Sequence, residues 1–185
     1  KETDSGRLGA EAACSLLKEK GKASDAQVYI LMGDLAHQAS RDRTSAFKET
    51  LAAGDCKGAT IADEQSAAWT RTNAMDLTTN WITAGQPIDV VFANNDESAL
   101  GAIIAMKAAN ISMDDVVVVG VDATADALVA QTVDAGLALQ VHHQPGLWEV
   151  LARHVDAQLR AHHAAAAVTA HEVARPRGLQ VLLAT

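Results

Sequence analysis

Four polar residues, NNDE at positions 94–97, lie between two apolar patterns in the middle of the chain. They follow the short apolar run 89–93, which is typical of a buried strand, and precede apolar residues that recur at helical spacing from Leu100 onward. Either Asn95 or Asp96 can cap that helix, but one cap does not need four polar residues. Polar side chains at a strand-to-helix junction are typical of ligand sites in open α/β folds. We therefore expect this stretch to bind a small ligand through hydrogen bonds.

Polar residues also follow the other apolar runs that we interpret as strands. In chain order, these junctions supply Asp34 and Arg43, Gln65 and Trp69, Asn94 to Asp96, Asp122 and Thr124, and His143 and Gln144. Carboxylates accept hydrogen bonds, amides accept and donate, and a guanidinium donates through a rigid fork, so the set suits a ligand with many hydroxyls. The set contains no nucleophile beside a base and no Gly-rich phosphate loop, so we expect neither catalysis nor a cofactor.

The elements that must position these residues alternate between helix and strand patterns. Strands are predicted at 26–32, 57–62, 90–93, 116–121 and 137–141, and helices at 5–20, 40–53, 67–84, 98–109 and 124–135. Ser5 can cap the first helix, and Ser40 is a candidate N-cap for the second. Such alternation predicts the α/β class, with a mostly parallel sheet covered by helices on both faces. Each strand then brings its polar loop to the same edge of the sheet.

Composition limits the partners. The 185 residues are 49% hydrophobic, which is enough for a sizeable core, and no apolar run approaches the length of a membrane span. The net charge of -8 argues against nucleic acid or an anionic membrane, since both attract basic surfaces. The start, KETD, has no signal-peptide pattern, so we expect a mature chain or an internal fragment. An uncharged ligand fits this composition.

Cysteine and histidine spacing predicts no metal site. Cys14 and Cys56 are too few for a disulfide framework, and Cys14 lies on the apolar stripe of the first helix, so we expect it to be a small buried hydrophobe. These two cysteines do not indicate whether the protein resides in an oxidising or a reducing compartment. The adjacent pairs His142-His143 and His162-His163 direct their side chains apart, and no HExxH motif is present, so solvated histidines are expected.

Four stretches resemble the ribose-type periplasmic solute-binding proteins of ABC sugar importers. They are SRDR at 40–43, QSAAW at 65–69, VFANNDESALGA at 91–102 and VVGVDAT at 118–124. Within that family, the phrases ILMGDLA, NWITAGQ, ANNDE and GVDAT are most similar to the inositol-binding branch. The resemblance is dense and in order from about residue 26 to residue 128, and after Gly136 only its outline persists.

The resemblance implies a fold and a function. Members of this family have two flavodoxin-like lobes, joined by a three-strand hinge, that close on one sugar. This chain resembles the second lobe over 1–144, with a helix at 145–173 that packs on the first lobe and a hinge or strand segment at 174–185. The resemblance further implies a monosaccharide or cyclitol ligand, a membrane permease as partner, and a periplasmic location without direct insertion into the membrane.

Binding residues can be carried over from the family by position. Arg43 corresponds to the arginine that grips the sugar, Trp69 to the aromatic residue that stacks on it, and Asn95 to an amide contact. Asp122 corresponds to the carboxylate that accepts two hydroxyls, and Gln144 to the glutamine after the last strand of the lobe. From the residues alone, Arg43 could instead form a surface salt bridge, and Trp69 could be a core aromatic.

The sequence offers alternatives for some of the ligand contacts. Counting back from Pro145 places His143, rather than Gln144, at the family's glutamine position. Asp34, Asn94 and Asp96 are further possible ligand contacts.

Two other classes of protein are possible on the same fold. The alternative function is the effector-sensing domain of a lactose-repressor-type transcription regulator, which shares the fold. A third hypothesis is an enzyme that uses Asp96 and Asp122 as an acid/base pair, but the fold alone does not support it.

Overall fold

The computed structural model describes residues 1–127, 130 and 137–140. The chain divides into two compact units, Lys1–His142 and His143–Thr185, and every described residue belongs to the first. The predictions for 141–185, including His143, Gln144 and the segments 145–173 and 174–185, therefore lie outside the described residues.

Helices and strands alternate from α1 to β4, as predicted, and the helix predicted at 124–135 falls mostly outside the described residues. In order they are α1 (Glu2–Glu19), β1 (Gln27–Met32), α2 (Gln38–Ala53), β2 (Thr60–Ser66), α3 (Arg71–Thr83), β3 (Val90–Ala93), α4 (Asp96–Ala108), β4 (Val117–Val121) and β5 (Leu137–Gln140).

The strands form one parallel sheet of five strands in the order β2-β1-β3-β4-β5. This is the strand order of flavodoxin-like folds, so the predicted α/β class is confirmed. Strand β3 lies at the centre and all four of its residues are buried. A central strand of a parallel sheet is covered on both faces, which explains the uninterrupted apolar run VVFA.

Alternate residues of β3 face opposite layers of the core. Val91 belongs to the cluster with residues of α3 and α4, whereas Val90 and Phe92 belong to the cluster with residues of α1 and α2. In the second cluster the rings of Phe47 and Phe92 stack with centroids 4.1 Å apart. Helices therefore cover both faces of the sheet. The two packed layers fix the position of its carboxyl edge.

Both predicted serine caps are wrong. Helix α1 begins at Glu2 and α2 at Gln38, so Ser5 and Ser40 lie inside the helices, where both are buried. Helices α1 and α2 pack closely in this region, where a Cβ atom added at Gly6 would overlap the backbone of Arg43. Small residues in this stretch serve the helix contact rather than the helix end.

Strand β2 begins later than predicted and extends through the polar residues 63–66. It lies at the edge of the sheet with β1 as its neighbour, so its side chains need not be apolar. Helix α3 also begins later, at Arg71. Ala68 and Trp69 have left-handed φ angles of 48° and 66°, which a right-handed helix cannot contain. The side chain of Thr70 caps α3 by accepting a hydrogen bond from the N–H of Asn73.

A disulfide joins Cys14 of α1 to Cys56, in the segment that follows α2. The expectation that Cys14 is a buried thiol is wrong, because packing of α1 on α2 brings the two Cα atoms within 5.7 Å. Among the described residues, no helix is both long and apolar enough to span a membrane. No cluster of three metal-ligating side chains occurs in the same part of the chain.

The disulfide closes a long loop, with 42 residues of sequence separation, and should stabilise the fold. Replacing both cysteines with alanine should lower the free energy of unfolding by about 2 to 4 kcal/mol, because the unfolded chain regains the freedom that the bond removes. Urea unfolding under oxidising conditions measures this difference. With a reducing agent present, the wild type should unfold close to the double variant; equal stability of the two under oxidising conditions would contradict the prediction.

Candidate functional site

Asn94, which directly follows β3, bonds both to the loop after β1 and to α2. Its backbone carbonyl accepts a hydrogen bond from Arg43 Nη1 at 2.6 Å. Its side-chain Oδ1 accepts from the N–H of Gly33, after β1, at 3.1 Å, and the amide also bonds Thr44 Oγ1 of α2 at 3.2 Å. Asn94 is fully buried. Its hydrogen bonds are made within the fold, where they fix the loop after β1 against α2.

Asn95 caps α4 and also holds the loop that carries Trp69. Its Oδ1 accepts from the N–H of Ser98 at 3.1 Å, so the expected cap at Asn95 or Asp96 is made by Asn95. Its Nδ2 donates to the carbonyl of Trp69 at 3.1 Å. This second bond anchors the left-handed turn at Ala68 and Trp69.

Asp96 holds the loop after β4. It is fully buried, and its Oδ2 accepts from the N–H of Thr124 at 2.6 Å. The pKa of Asp96 is raised to about 7, chiefly by burial and to a smaller extent by the negative charges of Asp122 and Glu97, whereas hydrogen bonds from Thr124 oppose the rise. The other oxygen, Oδ1, is buried without a hydrogen-bond partner among the described residues.

Arg43 lies where these loops meet. Its Nε pairs with Glu2 Oε2 at 2.5 Å, and its Nη1 lies 3.4 Å from Asp122 Oδ1. The guanidinium carbon is 5.9 Å from the centroid of the Trp69 ring, within the range of a cation–π contact. The Arg43 side chain is only 12% exposed, and its ion pairs run to distant residues rather than along the surface of α2.

The indole of Trp69 packs over the backbone of Gly33. A Cβ atom at position 33 would overlap the ring, so this position must be glycine for the indole to lie there. Nε1 of Trp69 donates to His37 Nδ1 at 3.0 Å, and the two rings are stacked with centroids 6.0 Å apart. Trp69 is half-buried, and it lies at the edge of the sheet near Arg43.

The other candidates contribute less to this arrangement. Asp34 Oδ1 accepts from the N–H of Ala36 at 2.8 Å and so shapes its own loop. Gln65 lies on β2, where its Nε2 donates to Asp63. Thr124 enters through its backbone N–H, as described above.

Sequence reasoning missed two side chains of the site, Glu2 and His37. Each meets its partner across a long stretch of chain: 41 residues separate Glu2 from Arg43, and 32 separate His37 from Trp69. Glu2 carries no local signal. His37 lies in a loop that follows a predicted strand, and this position is the only feature of the sequence that suggests a place for His37 in the site.

Arg43, Trp69 and Asp122 therefore lie together with the residues at 94–96. They offer a forked donor, a carboxylate acceptor and an aromatic ring, which together suit a ring-shaped ligand with several hydroxyls. An acid/base pair of Asp96 and Asp122 does not fit this geometry. Asp96 is fully buried and its Oδ2 accepts from the N–H of Thr124, so this carboxyl is not exposed to a ligand at the edge of the sheet.

Comparison with known proteins identifies a matching family and several relatives. A family model described as a periplasmic binding protein domain matches residues 1–147. The chain is 52% identical over 129 residues to a candidate rhizopine-binding protein of Rhizobium meliloti. It is 35% identical over 124 residues to the ribose import binding protein of Haemophilus influenzae. These matches cover 70% and 66% of this chain but only 40% of each relative, so the chain spans less than half their length.

Solved structures include similar folds. An ABC transporter solute-binding protein of Bacillus halodurans with bound myo-inositol is 36% identical, with a TM-score of 0.66 over 74% of this chain and 45% of that one. A periplasmic solute-binding protein of Actinobacillus succinogenes with bound D-allose is 29% identical, with a TM-score of 0.61 over 69% of this chain and 43% of that one.

The buried carboxyl of Asp96 should make stability depend on pH. Its pKa in the folded protein, about 7, lies above its ordinary value, so the folded state binds a proton that the unfolded state has already released. The contribution of Asp96 to stability is therefore fully present below the ordinary pKa of 3.8, declines as pH rises above it, and is lost once the pH has risen through about 7. We expect Asp96→Asn to remove this loss, which amounts to up to about 1.4 kcal/mol for each pH unit.

Urea unfolding of both proteins between pH 5 and pH 8 measures the effect. Asp126→Asn is the control, because Asp126 is an exposed carboxylate nearby. Parallel stability curves for the wild type and Asp96→Asn would show that the Asp96 carboxyl titrates as an ordinary one.

Proposed function

Because this chain belongs to the periplasmic binding protein domain family, whose model matches residues 1–147, we propose that it forms the second lobe of the solute-binding component of an ABC importer. The component binds a neutral monosaccharide or cyclitol between two lobes and releases it to a membrane permease. This lobe supplies Arg43, Trp69, Asn95 and Asp122 to the ligand, with Gln144 or His143 as a further contact.

The observation that carries the proposal is the convergence of three chemically different groups at one edge of the sheet. Arg43 lies 3.4 Å from the carboxylate of Asp122 and 5.9 Å from the ring of Trp69. Arg43 donates in a fork, Asp122 only accepts, and an aromatic ring covers the C–H face of a sugar ring. A hydroxyl-rich ring can use all three groups at once. An anionic ligand would meet the carboxylates of Asp122 and Glu2 beside the Arg43 guanidinium.

The ligand class follows from what the relatives share. Ribose, D-allose and myo-inositol, which appear in the names of the relatives and neighbours, are uncharged and carry several hydroxyls. We propose myo-inositol as the first ligand to test. The inositol-bound neighbour is 36% identical, and the similarity covers 74% of this chain.

The disulfide supports a location outside the cytoplasm. Disulfides persist in oxidising compartments such as the bacterial periplasm and are rare in the cytosol. The bond between Cys14 and Cys56 therefore favours the importer component over a cytoplasmic transcription regulator on the same fold.

The carboxylate of Asp122 should be needed for binding in the full-length protein. Asp122→Ala should weaken the binding of the preferred ligand by about 2 to 4 kcal/mol, because the hydroxyls that it accepts are left unpaired. Arg43→Ala should cause a similar loss, but it should also destabilise the fold, since Arg43 holds the carbonyl of Asn94. Isothermal titration with myo-inositol, ribose, galactose and xylose measures these changes.

Asp126→Ala is the matched control for Asp122→Ala. It removes a carboxylate that is 72% exposed and pairs with Arg71 instead of Arg43, so ligand affinity should be unchanged. Wild-type affinity in Asp122→Ala would remove this residue from the site, and binding of none of the four compounds by the wild type would refute the proposed ligand class.

Trp69 should contribute an apolar contact to the ligand. Trp69→Ala should weaken binding by about 1 to 3 kcal/mol, and ligand-induced quenching of tryptophan fluorescence should shrink with it. Trp81→Phe is the control, because Trp81 is buried in the core with its Nε1 bonded to Asp63. Quenching that persists at full size in Trp69→Ala would assign the signal to another tryptophan.

A further inference from the structure

The turn that carries Asp122 has an unusual backbone. Asp122 and Ala123, neither of them glycine, have successive φ angles of 109° and 54°. Residues with a Cβ atom seldom adopt this left-handed region, and two in succession require support from the surrounding structure. A group that holds this turn also sets the direction of the Asp122 carboxylate.

The hydrogen bond from the N–H of Thr124 to Asp96 Oδ2 supplies such support. It is short, at 2.6 Å, and it joins the residue directly after the two left-handed residues to the first turn of α4. The acceptor itself is fixed, because Asp96 is fully buried and follows the N-cap Asn95. Thr124 Oγ1 in turn accepts from the N–H of Ala127, which ties the turn to the residues that follow.

Burial of this carboxyl group is costly for the fold. Oδ1 has no hydrogen-bond partner among the described residues, and the neighbouring Glu97 and Asp122 are also acidic. A carboxyl that is buried with one oxygen unsatisfied costs stability, so an aspartate at this position implies that its other oxygen does something that an apolar side chain cannot do. Within the described part of the chain, the hydrogen bonds that Asp96 receives across the site come from Thr124.

We propose that Asp96 is a positioning residue for Asp122, holding the turn 122–124 so that the carboxylate of Asp122 points at Arg43 and the ligand. This inference rests on the proposed function, in which Asp122 accepts hydroxyls of the ligand. It replaces the expectation that Asp96 itself touches the ligand. Asp122 is 45% exposed and lies 3.4 Å from Arg43, so a small rotation of the turn would separate the two groups.

The positioning role requires an acceptor at position 96 and does not require a charge. Asn keeps a carbonyl oxygen of nearly the same shape and position, whereas Ala has no acceptor. Asp96→Asn should therefore retain the affinity for ligand, while Asp96→Ala should release the turn. Because Asp96 acts through Asp122, its loss should have no further effect once Asp122 is absent.

The test is a double-mutant cycle in the full-length protein, titrated with whichever of myo-inositol, ribose, galactose and xylose the wild type binds. Asp96→Ala should weaken binding about tenfold, Asp96→Asn by less than about threefold, and Asp96→Ala in the Asp122→Ala background should add nothing. Ser98→Ala is the matched control. Ser98 is another buried polar residue of α4 whose hydroxyl has no hydrogen-bond partner among the described residues, so its removal should leave affinity unchanged.

Hydrogen exchange of the Thr124 amide gives a readout that does not need a ligand. The amide should be protected in the wild type, in Asp96→Asn and in Ser98→Ala, and it should exchange faster in Asp96→Ala. If no compound binds to the wild type, the proposed ligand class fails, and exchange alone decides the positioning role. Unchanged exchange in Asp96→Ala, equal loss of affinity in Asp96→Asn and Asp96→Ala, or additive losses from Asp96→Ala and Asp122→Ala would each overturn the inference.

Discussion

Where parallel strands end, their backbone groups lose the partners that the sheet provides, and buried groups without partners destabilise a fold. At the carboxyl edge of this sheet the residues that follow β3 meet that constraint. Asn94 bonds the N–H of Gly33 and offers its carbonyl to Arg43, Asn95 bonds the carbonyl of Trp69, and Asp96 bonds the N–H of Thr124. Because β3 is the central strand, its end lies within reach of every neighbouring loop.

The polar stretch at 94–97 therefore has a different role from the one that its composition predicts. Its composition predicts a place where ligand contacts are concentrated, and the structure gives most of its hydrogen-bonding capacity to the protein itself. Two of the loops that it anchors contain successive left-handed residues, 68–69 and 122–123. The groups best suited to a ligand, Trp69 and Asp122, lie on these two loops. In our proposal Trp69 and Asp122 bind the ligand and Asn94 and Asp96 hold the loops, whereas Asn95 takes part in both.

Sequence reasoning worked where the governing interactions are local. The apolar run before Asn94 and the alternation of elements predict the sheet, and the polar junctions predict which loops share an edge. It failed where the deciding contact lies far away along the chain. Ser5 is a good cap by type, but α1 begins at Glu2 and Ser5 is buried within it. Cys14 fits an apolar stripe, but the packing of α1 on α2 brings it to Cys56. The pairing of Glu2 with Arg43 is decided by tertiary packing, and no local pattern encodes it.

The consecutive placement of the three anchors has a consequence for how such a site can change in evolution. Each anchor bonds a backbone group of its loop: the N–H of Gly33, the carbonyl of Trp69 and the N–H of Thr124. Every residue type except proline offers both of these groups, so the side chains of the loops can be exchanged while the loops stay attached. A deletion between positions 94 and 96 would shift the register of all the anchors at once. Ligand preference can thus diverge by point substitution in the loops, while the length of this short segment is held constant.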